Sequence, residues 1–316
     1  MAVTVNLAKG SVPPIDLSEL SGFIGQESVT KKISFFVKSS SCKNPFPTIL
    51  LTGSHGLGKT YLAEKVSKSL GRKFISVNSG MIKTKEEFIF DVFSKINGPT
   101  TIFLDESHAL SKDVTTLLLT LLNPTASHQN SFEYLGNTFI YDMQYINVIF
   151  ATTDAHMMFK PLNNRCHHIY FSSYSNGDLI SILKYYLEDV QFLCDMNEIA
   201  DACRSRARDA FLLSQNIKRF LSFSSTNVVS SEVWEEIKVI FDIFPKGLKK
   251  EELTLLEAIR DYGPISSANL ARRLMVNEKN IKLEMEIRLS ELGLIRNTTK
   301  GREVTSAGSQ YFNNLS

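Results

Sequence analysis

The chain has 316 residues, of which 43% are hydrophobic and 22% are charged, and its net charge at pH 7 is +2. These proportions are typical of a globular protein with room for two or three domains. No stretch reaches the roughly 20 uninterrupted apolar residues of a membrane span, and residues 1–16 lack the basic and apolar regions of a secretory signal. We therefore expect a soluble, intracellular protein in which any basic nucleic-acid footprint is local.

Potential metal ligands lack the spacing of a metal site. The cysteines form no CxxC pair and no zinc-like pattern, so we expect free thiols in a reducing compartment for Cys42, Cys166, Cys194 and Cys203. Three histidines also lack ligand spacing and are interpreted as ordinary polar residues, namely His108, His167 and His168.

In the first half of the chain, short apolar runs alternate with helical patterns. The runs predict buried strands at 48–52, 73–77, 101–104, 146–150 and 169–171. Between them, residues 59–70 and 85–96 have the apolar spacing of helices. Short apolar strands separated by helices indicate a parallel sheet that is covered on both faces.

After residue 171 the strand signal disappears. Helices are predicted at 179–193, 198–206, 210–223 and 232–244, and Pro245-Lys246-Gly247 then suggests a linker. Further helices follow at 251–262, 267–274 and 278–292. Two extended runs, 294–297 and 303–305, flank a hairpin tip at 298–301. Three helices followed by a hairpin is the winged-helix arrangement.

One glycine-rich segment follows a predicted strand and opens a predicted helix. Residues 53–60 read Gly-Ser-His-Gly-Leu-Gly-Lys-Thr and fit GxxxxGK[ST] without a mismatch. The glycines let backbone N–H groups converge on phosphate oxygens, and the helix adds its positive N-terminal end. Lys59 is expected to neutralise the β- and γ-phosphates of ATP, and the Thr60 hydroxyl to ligate Mg²⁺. The alternative is a glycine-rich turn with a solvent-exposed lysine.

Two adjacent carboxylates, Asp105 and Glu106, follow the third predicted strand. They lie at its C-terminal end, where open α/β sheets bind ligands. Asp105 is expected to hold Mg²⁺, directly or through water, and Glu106 to orient and deprotonate the attacking water. An acidic cap on the following helix is the alternative role of such a pair.

These residues carry a resemblance to AAA+ ATPases of the RuvB type, which drive branch migration of Holliday junctions. The segments 23–26, 53–60 and 104–110 are similar to the family's FIGQ, GPPGLGKT and DEIHRL, in the same order. Residues 150–153 are similar to the family's GATT, and residues 161–165 to its PLRxR. Residues 263–265 and 293–302 are similar to parts of the family's winged helix. The resemblance implies an α/β fold class. Its parts are a P-loop AAA+ parallel-sheet domain at 1–172, an all-α lid domain at 173–245, and a winged-helix DNA-binding domain at 246–316.

The resemblance also implies the roles of individual residues. Thr153 would be sensor 1 near the γ-phosphate, Arg165 an arginine finger reaching into the neighbouring subunit's site, and Arg208 sensor 2. With Lys59 and Glu106 these residues form the implied catalytic set. The implied nucleotide-binding residues are Ile24, Gly25, Gly53, Gly56, Leu57, Gly58, Lys59, Thr60, Tyr61, Tyr174 and Arg208. A helix cap at Thr153, a surface charge at Arg165 and simple packing at Tyr174 are the structural alternatives.

The sequence departs from the family pattern in three places. Ser54 and His55 replace the family's two prolines in the loop, and Arg165-Cys166 together with 208–210 is closer to sliding-clamp loaders. A hairpin is predicted at 132–141, in a region shorter than the one through which the family motor docks on its junction-binding partner RuvA. A RuvA-like partner is therefore left open.

Basic residues surround the tip of the C-terminal hairpin. Residues 246–316 carry twelve Lys and Arg against nine Asp and Glu, a local charge of +3 that leaves −1 for the remainder. Arg296, Lys300 and Arg302, with the hydroxyls of Thr298 and Thr299, suit phosphate contacts, which provide grip without sequence information. We expect DNA contact here, with a protein-docking winged helix as the alternative.

The leading hypothesis is an ATP- and Mg²⁺-dependent enzyme, a RuvB-type motor that translocates duplex DNA in a ring, most simply a homo-hexamer. It would act on duplex DNA or four-way junctions in recombination and repair. It would work in the cytoplasm of a bacterial or phage-infected cell, without a membrane. The alternatives are a clamp-loader or helicase-loader type AAA+ switch and a non-hydrolysing DNA-binding regulator.

Overall fold

The computed structural model describes residues 4–7, 13–41 and 43–313, apart from the Glu284 side chain. It contains two compact units, Met1–Asp178 with Arg206–Arg208, and Leu179–Ser205 with Asp209–Ser316. No helix in the described ranges is long and apolar enough to cross a membrane. Three of the predicted free thiols are confirmed, at Cys166, Cys194 and Cys203, and Cys42 lies outside the described residues.

The first unit alternates strands and helices, as the apolar runs predict. In chain order its elements are β1 (Thr4–Asn6), α1 (Ser18–Ser21), α2 (Glu27–Ser39), β2 (Ile49–Thr52), α3 (Lys59–Ser69), β3 (Lys73–Asn78), α4 (Lys85–Asp91), β4 (Thr100–Asp105), α5 (Lys112–Leu121), β5 (Gln129–Tyr134), β6 (Asn137–Asp142), β7 (Ile146–Thr152), α6 (Lys160–Asn163) and β8 (His167–Tyr170). All five strands predicted from apolar runs are present, with bounds that differ by at most two residues.

The core of this unit is a five-stranded parallel sheet in the order β3-β4-β7-β2-β8. The central strands β4 and β7 are buried along nearly their whole length, which is why they read as continuous apolar runs. Because all five strands are parallel, their carboxyl ends meet at one edge. That edge carries Thr52, Asp105 and Thr152.

A second, smaller sheet has the order β1-β6-β5. The hairpin predicted at 132–141 is confirmed and is longer, since β5 and β6 pair antiparallel from Gln129↔Asp142 to Tyr134↔Asn137. The N-terminal strand β1 pairs parallel with β6 and was not predicted. The helix predicted at 85–96 ends at Asp91, after which Phe93–Lys95 forms a 3₁₀ turn.

The helical part of the second unit contains α7 (Asn176–Tyr186, whose first residues belong to the first unit), β9 (Gln191–Phe192), α8 (Met196–Ala202), α9 (Ala207–Phe223), β10 (Val228–Val229) and α10 (Ser231–Ile240). The helix predicted at 179–193 is too long at its C-terminal end. There the chain leaves the helix and forms a two-residue parallel pairing with β10.

The C-terminal part has the predicted winged-helix arrangement. It contains α11 (Lys250–Tyr262), α12 (Ser267–Leu274), α13 (Glu278–Asn280), a π-helical turn (Ile281–Met285), α14 (Glu286–Glu291), β11 (Ile295–Thr298), β12 (Gly301–Val304) and α15 (Ser306–Asn313). The strands β11 and β12 form an antiparallel hairpin, and the helices enclose an apolar core that includes Leu255, Leu270 and Leu289. The closing helix α15 was not predicted.

The segment predicted as a linker is packed against its surroundings. Pro245–Gly247 forms a 3₁₀ turn, and a Cβ on Gly247 would lie 2.5 Å from the carbonyl oxygen of Asp201. An ion pair between Arg204 and Glu252, with side chains 9% and 4% exposed, joins the turn after α8 to the start of α11. The helical part and the winged helix are therefore joined by buried contacts inside one unit.

Candidate functional site

The glycine-rich segment 53–60 lies between the end of β2 and the start of α3. Gly56 and Gly58 have φ values of +79° and +92°, a left-handed backbone that favours glycine. Gly58 is the N-cap of α3, so the loop delivers its backbone directly to the N-terminus of that helix. This geometry provides the converging N–H groups and the positive helix end that the sequence predicts.

Lys59 is the buried charge of this site. The residue is only 7% exposed, and its Nζ donates to the carbonyl oxygens of Gly53 at 2.6 Å and Ser54 at 2.9 Å. Burial lowers the pKa of Lys59, while the carboxylates of Glu106 and Asp105 act in the opposite direction. The solvent-exposed lysine of the alternative interpretation is therefore wrong.

The carboxylates of the site follow β4 at the same sheet edge. Asp105 ends the strand, and its Oδ1 accepts the backbone N–H of Glu106 at 3.0 Å. Glu106 has a left-handed backbone with φ of +49°, an unusual conformation for a residue with a long side chain. Thr60 is exposed at the first turn of α3, within the segment that carries Lys59.

Two histidines lie on opposite oxygens of the Glu106 carboxylate. The Nδ1 of His55 is 3.5 Å from Oε1, and the Nδ1 of His108 is 3.3 Å from Oε2. His108 Nδ1 is also 2.9 Å from Thr152 Oγ1. The sequence interpretation of His108 as an ordinary polar residue missed this contact, because no spacing pattern links positions 55, 106 and 108.

The end of β7 brings Thr153 close to the start of the loop in space. The carbonyl of Thr152 accepts the N–H of Gly53 at 3.2 Å, so this strand end and the start of the loop are hydrogen-bonded neighbours. Thr153 follows immediately and is half-buried. The Thr152 hydroxyl, in contrast, is already engaged, since it accepts the N–H of Asp154 at 3.0 Å.

Arg208 also lies at the loop. Its backbone N–H donates to the Gly56 carbonyl at 3.0 Å, and its Cβ would be 3.2 Å from a Cβ placed on Gly56. The guanidinium also lowers the pKa of Lys59, although less than burial does. The structure thus brings Arg208 together with Lys59 and the two carboxylates.

The segment 23–26 and Tyr174 meet on another side of the loop. Tyr174 is 5% exposed, and its hydroxyl donates to the Leu57 carbonyl at 3.1 Å. A Cβ on Gly25 would lie 2.9 Å from the Tyr174 ring, so only glycine fits there. Tyr61 stacks on Phe23 at 6.0 Å between ring centroids. Ile24 is half-buried within the same segment.

Arg165 has its contacts elsewhere. Its Nη1 donates to the Pro161 carbonyl at 2.8 Å and its Nη2 to Asn123 Oδ1 at 3.4 Å. Within the described residues, none of its hydrogen bonds reaches the loop, and it is not among the charges that shift the pKa of Lys59. The structure therefore does not bring Arg165 to the loop of its own chain.

The three basic residues of the C-terminal hairpin differ in their surroundings. Arg302 makes two hydrogen bonds to the Glu286 carboxylate, at 2.9 and 3.0 Å, and its side chain is only 17% exposed. Arg296 is 67% exposed and pairs with Glu303 at 2.6 Å. Lys300 is exposed at the hairpin tip. The charge of Arg302 is thus compensated within the domain, whereas Lys300 extends into solvent.

A glycine loop between a buried parallel strand and a helix, with a buried lysine and a neighbouring strand that ends in two carboxylates, defines a P-loop nucleoside triphosphatase. The model of the Holliday junction DNA helicase RuvB P-loop domain matches residues 15–170, and that of the RuvB C-terminal winged helix domain matches residues 245–313. The chain belongs to the RuvB family. It is a nucleotide-binding ATPase with an α/β P-loop domain and a winged helix.

Individual relatives are similar to this chain along nearly its whole length. The Holliday junction branch migration complex subunit RuvB of Ehrlichia ruminantium (strain Gardel) is 26% identical over 303 residues, which cover 93% of this chain and 91% of that protein. The same subunit of Campylobacter lari is 27% identical over 297 residues, covering 90% and 87%. The solved Thermotoga maritima RuvB Holliday junction branch migration motor superposes with a TM-score of 0.74 at 25% identity, covering 95% and 97%. The chain is thus a divergent relative of these proteins.

Proposed function

We propose that this chain is an ATP-driven motor that translocates duplex DNA and drives branch migration of Holliday junctions in recombination and repair. The observation that carries the proposal is one chain that combines the P-loop site with a RuvB-type winged helix. Both family models are those of RuvB, so a clamp-loader or helicase-loader switch is not favoured. The complete set of Lys59, Asp105 and Glu106 also argues against a non-hydrolysing regulator.

The donors at the sheet edge fit ATP and Mg²⁺. Backbone N–H groups of residues 53–60 and the Lys59 ammonium would bind the phosphates. The Thr60 hydroxyl and the Asp105 carboxylate are hard oxygen ligands of the kind that Mg²⁺ prefers, and they would hold it there. When bound, Mg²⁺ supplies charge neutralisation on the phosphate oxygens. Ile24, Gly25 and Tyr174 would flank the adenine.

Glu106 is the residue we assign as the general base. Its carboxylate would accept a proton from the attacking water, for which an amide could not substitute. Thr153 would place its hydroxyl near the γ-phosphate, and its position directly after the strand end bonded to Gly53 supports that role. Arg208 would act as sensor 2, and its hydrogen bond to Gly56 supports a role at the phosphates.

Arg165 would complete the site of a neighbouring subunit. This role is supported by the location of its contacts, which lie at Pro161 and Asn123 rather than at its own loop. A guanidinium reaching the γ-phosphate across an interface stabilises the charge of the transition state. We therefore propose a homo-oligomeric ring, a hexamer, in which a lone subunit hydrolyses ATP poorly.

The winged helix would contact the DNA backbone. Lys300 and Arg296 have the more exposed side chains of the hairpin and would make phosphate contacts, while Arg302 would contribute less because Glu286 neutralises it. The relatives are named as subunits of a branch migration complex. We propose that this chain likewise acts with a RuvA-like junction-binding protein, through the β5–β6 hairpin whose tip residue Leu135 is 81% exposed. The relatives are bacterial, and the bacterial cytoplasm is the proposed location.

ATP hydrolysis and strand movement on a labelled four-way junction test the proposal together. The wild-type protein should hydrolyse ATP faster with DNA and separate the junction, whereas Glu106→Gln should bind nucleotide and turn nothing over. Native mass measured with ATP should give a closed hexamer, while an open pentamer would indicate a loader. An absence of hydrolysis by the assembled protein under every DNA condition would overturn the motor.

Mixing variants tests the shared site. Arg165→Ala and Glu106→Gln are each expected to be inactive, but a mixture should recover turnover, because Glu106→Gln subunits supply the arginine to intact sites of Arg165→Ala subunits. Lys59→Ala mixed with Glu106→Gln is the matched control. Both of these variants lack a residue of their own site, so no mixed site is complete. Recovery in the control, or none in the first mixture, would contradict the proposed interface.

A further inference from the structure

The carboxylate of Glu106 is in contact with His108 on one side. The His108 Nδ1 is 3.3 Å from Glu106 Oε2 and 2.9 Å from Thr152 Oγ1. The contact with Thr152 is a hydrogen bond and the contact with Glu106 is an ion-pair contact, which a proton on Nδ1 would favour. One ring nitrogen therefore faces an oxygen from each of two elements, the turn after β4 and the end of β7.

The support behind His108 is itself buried and hydrogen-bonded. Thr152 is fully buried, and its hydroxyl oxygen accepts the N–H of Asp154 at 3.0 Å. Its backbone carbonyl accepts the N–H of Gly53 at 3.2 Å, which ties the strand end to the phosphate loop. The His108 side chain is 29% exposed, so it is half enclosed between this support and Glu106.

His55 contacts the opposite carboxylate oxygen, but its side chain is much more exposed to solvent. Its Nδ1 is 3.5 Å from Oε1, and its side chain is 68% exposed on the loop. Water therefore competes directly for this contact, and no hydrogen bond holds the imidazole from behind among the described residues. Of the two histidines, only His108 connects Glu106 to a buried part of the sheet.

We propose that His108 is a positioning residue that holds the Glu106 carboxylate in the orientation needed to accept a proton from the attacking water. Glu106 needs such a support because its side chain has three rotatable bonds and starts from a left-handed backbone. The link through Thr152 couples this orientation to the end of the strand that Thr153 directly follows. The inference rests on the proposed role of Glu106 as general base.

The test is steady-state ATP hydrolysis by full-length protein with DNA, together with the Kd of a fluorescent ATP analogue. His108→Ala should lower kcat roughly ten- to a hundredfold, the effect of losing one polar contact with a charged group, with the Kd changed less than about twofold. His108→Asn keeps a donor near the Nδ1 position and should recover most of kcat. His108→Gln moves that donor by one bond and should not.

Three controls separate positioning from structural damage. His156→Ala removes an exposed histidine of the same unit and should leave kcat unchanged. Thr152→Val should lower kcat in the same direction as His108→Ala, with a double variant no worse than the poorer single one. In a Glu106→Gln background, where turnover is absent, His108→Ala should leave the Kd of the ATP analogue unchanged. If His108→Ala does not fold, the comparison of His108→Asn with His108→Gln decides.

Each failure has a distinct meaning. Unchanged kcat in His108→Ala, equal losses in the Asn and Gln variants, or a loss that appears mainly in nucleotide Kd would overturn the positioning role. A wild-type protein without DNA-stimulated hydrolysis, or a Glu106→Gln variant with normal turnover, would instead overturn the proposed function.

Discussion

Removal of either partner of the Arg204–Glu252 ion pair is expected to lower the free energy of unfolding of the second unit by about 3–5 kcal/mol. The pair is almost completely buried, with side chains 9% and 4% exposed, and Arg204 Nη1 donates to Glu252 Oε2 at 3.2 Å. The same Oε2 accepts the N–H of Lys249 at 2.9 Å at the start of α11. A substitution that removes one charge leaves the other buried without its ion-pair partner, and the buried Arg288 interacts with both.

The two substitutions isolate different parts of this interaction. Arg204→Met removes the cation but keeps much of the side-chain volume. Glu252→Gln removes the anion but keeps an oxygen that can accept the Lys249 N–H. The double variant Arg204→Met/Glu252→Gln should cost less than the sum of the single changes, because neither residue of the pair is then left charged without its partner. The matched control is Lys282→Met in the same unit, since the Lys282–Glu278 pair is 48% and 40% exposed and should contribute below about 1 kcal/mol.

The assay uses the single tryptophan of the chain. Trp234 lies in α10 of the second unit and is 1% exposed, so its emission reports the unfolding of that unit in urea. The denaturation midpoints and slopes give the free-energy differences. If Arg204→Met and Glu252→Gln shift the midpoint no further than Lys282→Met, the buried pair does not stabilise this unit and the argument fails.

Three further outcomes are expected. Gly25→Ala should weaken nucleotide binding several-fold in a fluorescence titration, because φ at this position is +72° and the new Cβ would lie 2.9 Å from the Tyr174 ring. Unchanged nucleotide affinity would contradict this prediction. Gly301→Ala should lower the midpoint of thermal unfolding by several degrees, since φ is +130° and its Cβ would meet the backbone of Ile265. Burial raises the pKa of the Cys166 and Cys203 thiols to about 12. Alkylation at these two positions, measured by peptide mass spectrometry at pH 8, should therefore be far slower in native than in denatured protein, and it should become faster as the pH rises. Equal rates in native and denatured protein would exclude this shift.

The sequence predicts the parts of the fold whose signal is local. Buried parallel strands read as apolar runs, so all five strands of the main sheet were found. The strands β1, β9 and β10 have two or three residues each, too few for any periodicity to emerge. The helix α2 was overlooked although its buried residues Val29, Ile33 and Val37 are spaced four apart, which is a usable signal.

The residues of the candidate site likewise divide into those with a local sequence signal and those without one. Lys59 and Asp105 were identified because loop and strand end are contiguous patterns. The contact of His108 with Glu106 depends on the left-handed backbone at position 106 and on Thr152, which lies 44 residues further along the chain. The neutralisation of Arg302 depends on Glu286 in α14, 16 residues earlier in the sequence. Such pairings arise from packing, and no local pattern encodes them.

The hydrogen bonds of Lys59 have a consequence for selectivity. Its ammonium group already donates two of its three N–H bonds to carbonyl oxygens of its own loop, those of Gly53 and Ser54. Binding of a ligand is therefore an exchange, in which incoming oxygens displace carbonyl oxygens and the displaced carbonyls need new donors. The net free energy is the difference between two sets of hydrogen bonds rather than the gain of one. A neutral oxygen gains little in that exchange, whereas a polyphosphate brings charge that the carbonyls lack, so the loop rejects uncharged competitors without a steric barrier.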